Sequence, residues 1–422
     1  MNKNASLIPY FLKRIFTITF ILGVIAYGFI FNHGFTFTDE LCALLFLIVY
    51  MCYTFTYNLL GKEMIITHSI LFLFFIYAYF WGQNTPKAAL VDLIIISKPF
   101  LLFYICYYLP INFNKTFRKK LQVLCITISI ISLFIGFDSA TIRYFFSAEA
   151  QMASTISIAT ILYLYCSKKT SKDIINSILI LSVGLLSARS KFYGFYISYI
   201  FIFLLADKIN FRKKLNLKKI FSIILLIGAV IAITWEKIYL YVYSGGLNNE
   251  NASDMIARPA LYMGMIEILK QNPILGSGMG SYANYASAEY YSPIYYKLGY
   301  EKIWGLTPDM PAFAADTFFP TLAQYGIIGI LLFLLFWKKR IKEAKIYFAK
   351  FPQFNIHYKL CITIIVFFFI ESLADSTFTQ NRGMFMMGIL GVILNEGKHY
   401  YFQHNIKQKD ISKSITYKQS SN

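Results

Sequence analysis

The sequence predicts an all-α, polytopic integral membrane protein with about twelve transmembrane helices and one large extracytoplasmic loop containing short helices. Three observations predict it. Apolar runs such as 15–31, 41–60, 65–81 and 219–234 approach the length needed to cross about 30 Å of hydrocarbon. Lys and Arg gather at alternate ends of these runs. One long interruption, 235–316, separates a set of nine runs from a set of three.

Taken in order, the expected spans are 15–31, 41–60, 65–81, 91–109, 121–137, 150–166, 174–188, 192–206, 219–234, 317–337, 358–373 and 383–395. The first follows Lys3, Lys13 and Arg14 and has no small-residue cleavage site after it, so it is expected to be retained rather than removed as a signal peptide. An even number puts both termini on one side. The segments on that side hold 29 of the 40 Lys and Arg, the opposite side holds 10, and Lys98 lies within the fourth span. By the positive-inside rule the termini are cytoplasmic and the long loop faces outward. The expected organisation is therefore 1–234 for spans one to nine, 235–316 for the periplasmic loop, 317–395 for spans ten to twelve and 396–422 for a cytoplasmic, disordered tail too polar to offset its own ordering.

The net charge of +19 fits this topology and an affinity for anionic membrane lipids rather than nucleic acid, since no basic patch combines with a soluble groove or a DNA-reading helix. Six cysteines, Cys42, Cys52, Cys106, Cys125, Cys166 and Cys361, all fall inside expected spans with no C-x-x-C pair. Neither a disulfide framework nor a metal site is predicted.

An interruption as long as 235–316 is uncommon unless it is functional. It contains a helix signal: Arg258-Pro259 opens it, Leu261, Met265, Ile268 and Leu269 line one face, and Asn272-Pro273 stops it. Gly276, Gly278 and Gly280 then permit tight turns and close approach of another backbone. Tyrosines crowd the loop, Tyr282 among them; their rings suit stacking on sugars, or equally an interfacial aromatic belt. The loop holds five Lys and Arg against eight Asp and Glu, so any anion site must be local.

Two outward arginines, Arg189 in LLSARSKFYG and Arg258, offer forked donors for phosphate oxygens; the plainer readings are a snorkelling side chain for Arg189 and an ion pair with Asp254 for Arg258. Asp316 is a candidate proton acceptor, or else the N-cap of the tenth span. Lys98, about seven residues below the outer end of its span, is expensive there unless it pairs or lines a wet cavity; a ligand phosphate or an acid such as Asp92 would serve. Glu371, Asp375 and Arg382 flank the turn between the last two spans, as ligands to sugar hydroxyls or as a solvated turn.

About twelve spans, Ser187-Ala188-Arg189 on the outer side, Arg258 leading into KQNPILGSGMGSY, and Asp316-Thr317 before LAQYGIIGILLF resemble the O-antigen ligase and polymerase superfamily, chiefly over 180–337. The resemblance implies an enzyme acting outside the cytoplasmic membrane on glycans linked to undecaprenyl pyrophosphate. It also implies no cofactor, metal or nucleotide sugar, and a pyrophosphate held by Arg189 and Arg258. Partners would be those lipid-linked oligosaccharides, together with a flippase and a chain-length regulator. Ligases of this superfamily typically carry a His just before the span after the large loop. Here that place reads AADTFFP, and none of His33, His68, His357, His399 and His404 lies in the loop. The polymerase (Wzy-type) branch is therefore expected over the ligase branch. A flippase of the same lipid-linked units is a third reading, which would call for paired repeats and mid-membrane charges rather than one long loop.

Overall fold

The computed structural model describes residues 3–205 and 256–420, apart from 35–36, 58–59, 110, 112 and 350, together with positions 228, 235 and 239. The expected ninth span, 219–234, lies outside the described residues except for one position. The described chain is about four-fifths helical and has no strand, only an isolated bridge between Thr307 and Met310.

The helices are α1 (Lys3–Phe20), α2 (Tyr27–Asn32), α3 (Thr38–Tyr57), α4 (Lys62–Trp81), α5 (Pro86–Tyr108), α6 (Lys115–Ile135), α7 (Ser139–Phe146), α8 (Glu149–Cys166), α9 (Ser171–Ser182) and α10 (Ser190–Ile200). After the undescribed stretch come α11 (Ala257–Gln271), α12 (Tyr285–Glu289), α13 (Pro293–Lys297), α14 (Gly326–Phe348), α15 (Asn355–Ser372) and α16 (Asn381–Ser420). Among the described residues, five segments are long and apolar enough to cross a membrane: Thr38–Tyr57, Lys62–Trp81, Pro86–Tyr108, Pro320–Phe348 and Pro352–Ser372.

Several helices begin a few residues before the apolar run because polar caps sit there. Thr85 accepts from Ala88 N with Pro86 in the first turn, Asn114 accepts from Phe117 N, and Thr170 with Asp173 forms a capping box. The tenth span departs from expectation. Instead of a helix from residue 317, a short 3₁₀ stretch runs Pro320–Tyr325 and α14 starts at Gly326, whose φ of +63° breaks the two apart. At the other end α16 continues helically to Ser420, across the segment expected to be unordered.

The most extensive helix contact joins α5 to α16. It closes because a Cβ at Gly391 would lie 2.4 Å from the Phe103 carbonyl oxygen; only glycine lets the backbones meet. Small residues serve this purpose where lipid gives no hydrophobic drive between helices. Leu102, Phe103, Cys106, Met387 and Leu390 fill the seam, each essentially sealed from solvent.

The loop has its own core of Leu261, Ile268, Tyr282, Tyr295 and Tyr300. It is fixed to one end of the helix bundle by a glycine turn. Gly280 has φ +72° and sits so close to α5 that a Cβ would meet Ala88 C and O at 2.5 Å. Buried Asp92 on α5 accepts from Gly280 N at 3.1 Å, Gln324 Nε2 at 2.6 Å and Tyr325 Oη at 3.1 Å, so one carboxylate ties loop, α5 and the lead into α14 together.

Candidate active site

Beneath the loop a cavity of about 710 Å³ opens between α8, α10, α11 and the turn joining α15 to α16. Its polar lining includes Gln151, Arg189, Lys191, Arg258, Asp316, Asp375 and Gln380. Local backbone features put these side chains there. Ala188 ends a 3₁₀ turn in the left-handed conformation, φ +51°. That costs a residue with a Cβ about 1 kcal/mol and swings Arg189 to the cap of α10, with Lys191 in its first turn. Arg258 lies in the first turn of α11, as its Pro259 implies. Asp316 sits where the loop returns to the bundle. Ser376 Oγ donates to Ala315 O at 2.6 Å and holds that return against the α15–α16 turn, while Tyr262 Oη on α11 donates to Leu373 O at 2.8 Å.

Each cation facing the cavity touches a carboxylate. Arg189 Nη2 is 2.5 Å from Glu149 Oε2, and Arg143 Nε is 2.9 Å from the other oxygen of Glu149. Lys191 Nζ lies 2.7 Å from Glu371 Oε2 and 2.5 Å from Asp375 Oδ2. Arg258 Nη2 and Nε lie 2.5 and 2.6 Å from Asp316 Oδ2. Burial raises the Asp316 carboxyl above its ordinary value, opposed by Arg258 and reinforced by Asp375. Burial also acts to raise Asp375, but Lys191, with help from Arg382 and Arg258, outweighs it and holds that carboxyl below the usual range. Two carboxylates on one cavity are thus pushed apart, one toward accepting a proton and one toward staying ionised.

The structure brings Arg189, Arg258, Asp316 and Asp375 together on the cavity wall, with Glu371 directly behind Lys191. Arg382 is buried just outside, donating from Nη1 to Gln151 Oε1 at 3.0 Å. Lys98 and Tyr282 are elsewhere. Lys98 is paired, but with Asp39 at 2.5 Å and Glu40 at 2.6 Å on α3, not with Asp92. Tyr282 is sealed in the loop core, donating to Leu261 O at 2.8 Å. Asp316 caps no helix, because none starts at residue 317. Asp254, the acid expected to pair with Arg258, lies outside the described residues.

Sequence reasoning missed Lys191, Glu149, Gln151 and Gln380. Lys191 did leave a signal: a cation in the first turn of a helix opposes the macrodipole and so asks for a nearby anion. A second cavity of about 280 Å³ between α4, α5 and α14 shares no lining residue with this one; its lining is mostly apolar, with Glu63 paired to Lys339 at 2.7 Å and to Arg340 at 2.9 Å.

Fold and site together define a helical membrane protein with an ionised cavity closed over by a structured loop. Residues 174–334 match the family described as O-antigen ligase, whose members are glycosyltransferase-like enzymes acting on glycans, and this match is consistent with the O-antigen ligase and polymerase superfamily. No curated protein and no solved structure matches the chain. The matched stretch runs from α9 into α14 and includes Arg189, Lys191, Arg258 and Asp316, whereas Glu149, Glu371 and Asp375 lie outside it.

Proposed function

We propose that the protein is a polymerase of lipid-linked oligosaccharide repeat units, of O-antigen or a related surface polysaccharide. It transfers a growing glycan from undecaprenyl pyrophosphate to the non-reducing end sugar of another undecaprenyl-pyrophosphate-linked unit. The observation that supports this best is the gathering of Arg189, Arg258 and Asp316 on one cavity beneath the loop. In the reaction the attacking hydroxyl oxygen bonds the anomeric carbon, and the bond from that carbon to the pyrophosphate oxygen breaks with its electron pair. Fixed cations aimed at that developing charge are the largest single contribution such a site can make. Asp316 is assigned the hydroxyl proton. The reading requires no metal or other cofactor.

In the same reading the chain has twelve spans in the bacterial cytoplasmic membrane, with 235–316 in the periplasm and both termini cytoplasmic. A flippase supplies its substrate, and a chain-length regulator is a further partner. The ligase reading, transfer of glycan to lipid A-core, stands second because the matched family is described by that name. The glycan profile of cells lacking the gene separates the two. Core carrying a single repeat unit is expected; core with no repeat unit would replace polymerase by ligase, and an unchanged ladder would remove both.

A further inference from the structure

Among the described residues three cations line the cavity, Arg189, Lys191 and Arg258, and each is occupied by a carboxylate, yet the pairs are not alike. The Lys191 side chain is 11% exposed and its partner Glu371 2%, so that pair is nearly sealed. Arg258 and Asp316 are 24% and 27% exposed, and Arg189 is 37% exposed beside Glu149 at 13%. Partly exposed pairs are held weakly, whereas separating a buried pair leaves a stranded charge. Glu149 also has other partners if Arg189 leaves: Arg143 Nε and the Ser139 hydroxyl, both 2.9 Å from its Oε1.

Arg258 directs both Nε and Nη2 at one oxygen of Asp316. Those are the donors of its fork that a phosphate would claim, and they cannot serve carboxylate and phosphate at full strength together. We infer that Asp316 and Glu149 are resting-state stand-ins for the phosphate oxygens of a bound diphosphate, and that donor binding exchanges them off Arg258 and Arg189 while the Lys191 pairs stay in place. This rests on the cavity being the glycosyl-transfer site proposed above.

The exchange sets the order of events. Before the donor arrives, Arg258 is paired with Asp316 and offsets part of the proton affinity that burial gives it. Once the diphosphate has taken Arg258, Asp316 is left in the same partly desolvated cavity without its cation, beside the bond about to break. The acceptor hydroxyl then forms its bond to the anomeric carbon and gives its proton to Asp316. The electron pair of the broken bond stays on the diphosphate oxygen held by the two arginines. The base exists only when the leaving group is already clamped.

The test is direct binding of inorganic pyrophosphate to the full-length, detergent-solubilised protein, by calorimetry, for wild type, Asp316→Asn, Asp375→Asn and Arg258→Ala/Asp316→Asn. Asp316→Asn is expected to bind pyrophosphate about fivefold more tightly than wild type, the upper range for losing one competing, partly exposed ion pair, while making no polymer in cells. Asp375→Asn removes an equal charge from the same cavity but leaves Lys191 its bond to Glu371, so its gain is expected to be smaller. Arg258→Ala added to Asp316→Asn should cancel the gain. Unchanged or weaker binding by Asp316→Asn, or an equal gain in Asp375→Asn, would overturn the exchange and leave the functional reading intact. No pyrophosphate binding by any of the four proteins would overturn both.

Discussion

Lys191→Ala would leave two carboxylates around a space shaped for one ammonium, and the consequence can be worked from the geometry. Nζ sits 2.7 Å from Glu371 Oε2 and 2.5 Å from Asp375 Oδ2. With the Glu371 side chain only 2% exposed, water entering from the cavity that Lys191 lines replaces only part of what the ammonium gives the two carboxylates. Removing one partner of a buried pair costs about 3–5 kcal/mol. Two effects soften the loss: the Thr377 hydroxyl still donates to Glu371 Oε2 at 2.8 Å, and one carboxylate can take up a proton, at about 1.4 kcal/mol for each pKa unit that it must shift. A loss of roughly 2–4 kcal/mol remains, a large part of a usual folding margin of about 5–15 kcal/mol. The assay is thermal unfolding of the detergent-solubilised protein, comparing Lys191→Ala with the triple variant Lys191→Met, Glu371→Gln, Asp375→Asn. The triple variant strands no charge and should recover most of the stability while remaining inactive. Wild-type stability in Lys191→Ala, or a triple variant no more stable than the single one, would refute the reasoning.

Arg258→Ala and Arg189→Ala should each reduce polymer formation by roughly a hundredfold to a thousandfold, the usual loss for one donor to a developing charge, and lysine should rescue only partly because it lacks the planar fork; long chains at wild-type abundance in both alanine variants, read on glycan gels, would remove the arginines from the mechanism. The acid limb of the pH–rate profile should lie above the ordinary aspartate value of 3.8, since the Asp316 carboxyl is raised by burial and must be ionised to accept a proton. Stability follows the opposite sign: a raised folded-state pKa means that the folded protein binds the proton more tightly, so acidifying through that window stabilises at this site, whereas the depressed Asp375 contributes stability above its unfolded value that is lost as pH falls through its folded one. Titrating both the rate and the unfolding transition checks the two signs, and an acid limb at or below 3.8 would remove Asp316 as the base. Gly280→Ala should destabilise by about 1–3 kcal/mol, because its φ is +72° and the new Cβ would meet Ala88 at 2.5 Å; a variant that melts with wild type would mean that the loop is not pinned there. Cysteines placed at Ser253 and Ser414 should react with an impermeant reagent in intact spheroplasts only at position 253, and the reverse pattern would invert the topology.

The helices were legible because their causes are local. Apolar runs, threonine and asparagine caps and the Arg258-Pro259 to Asn272-Pro273 punctuation all act within a few residues, and α11 spans Ala257–Gln271 as those signals imply. Gly280 was legible for the same reason, since a glycine cluster after a helix anticipates close backbone approach. The break before α14 was not. A continuous run of apolar residues hides Pro320 and Gly326, and the chain is turned there by tertiary bonds: Ile327 N donates to Pro273 O at 2.8 Å and Gly278 N to Gln324 O at 3.0 Å. The tyrosines were half-legible. Tyr282, Tyr295 and Tyr300 build the loop core, while Tyr285, Tyr296 and Trp304 remain exposed, and no local pattern separates the two sets.

The site was legible as a set of expensive charges and illegible as a set of pairs. Arginines on the side of a membrane protein that is poor in them stand out singly, which is how Arg189 and Arg258 were found. Their partners lie 40 and 58 residues away in sequence, and those of Lys191 lie 180 and 184 away. Pairing at such separations depends on which helices are neighbours, which hydropathy cannot give. The one local hint was energetic, since Lys191 near a helix N-terminus is disfavoured unless an anion compensates. The same argument run on Lys98 predicts a ligand phosphate or an acid beside it, and the structure supplies the acids, Asp39 and Glu40, away from the cavity. An expensive charge therefore points to a partner in both cases. On the proposed reading the difference lies in the cations themselves: the Arg258 and Arg189 side chains are open to the cavity, whereas Lys98 and its Asp39 partner are nearly sealed.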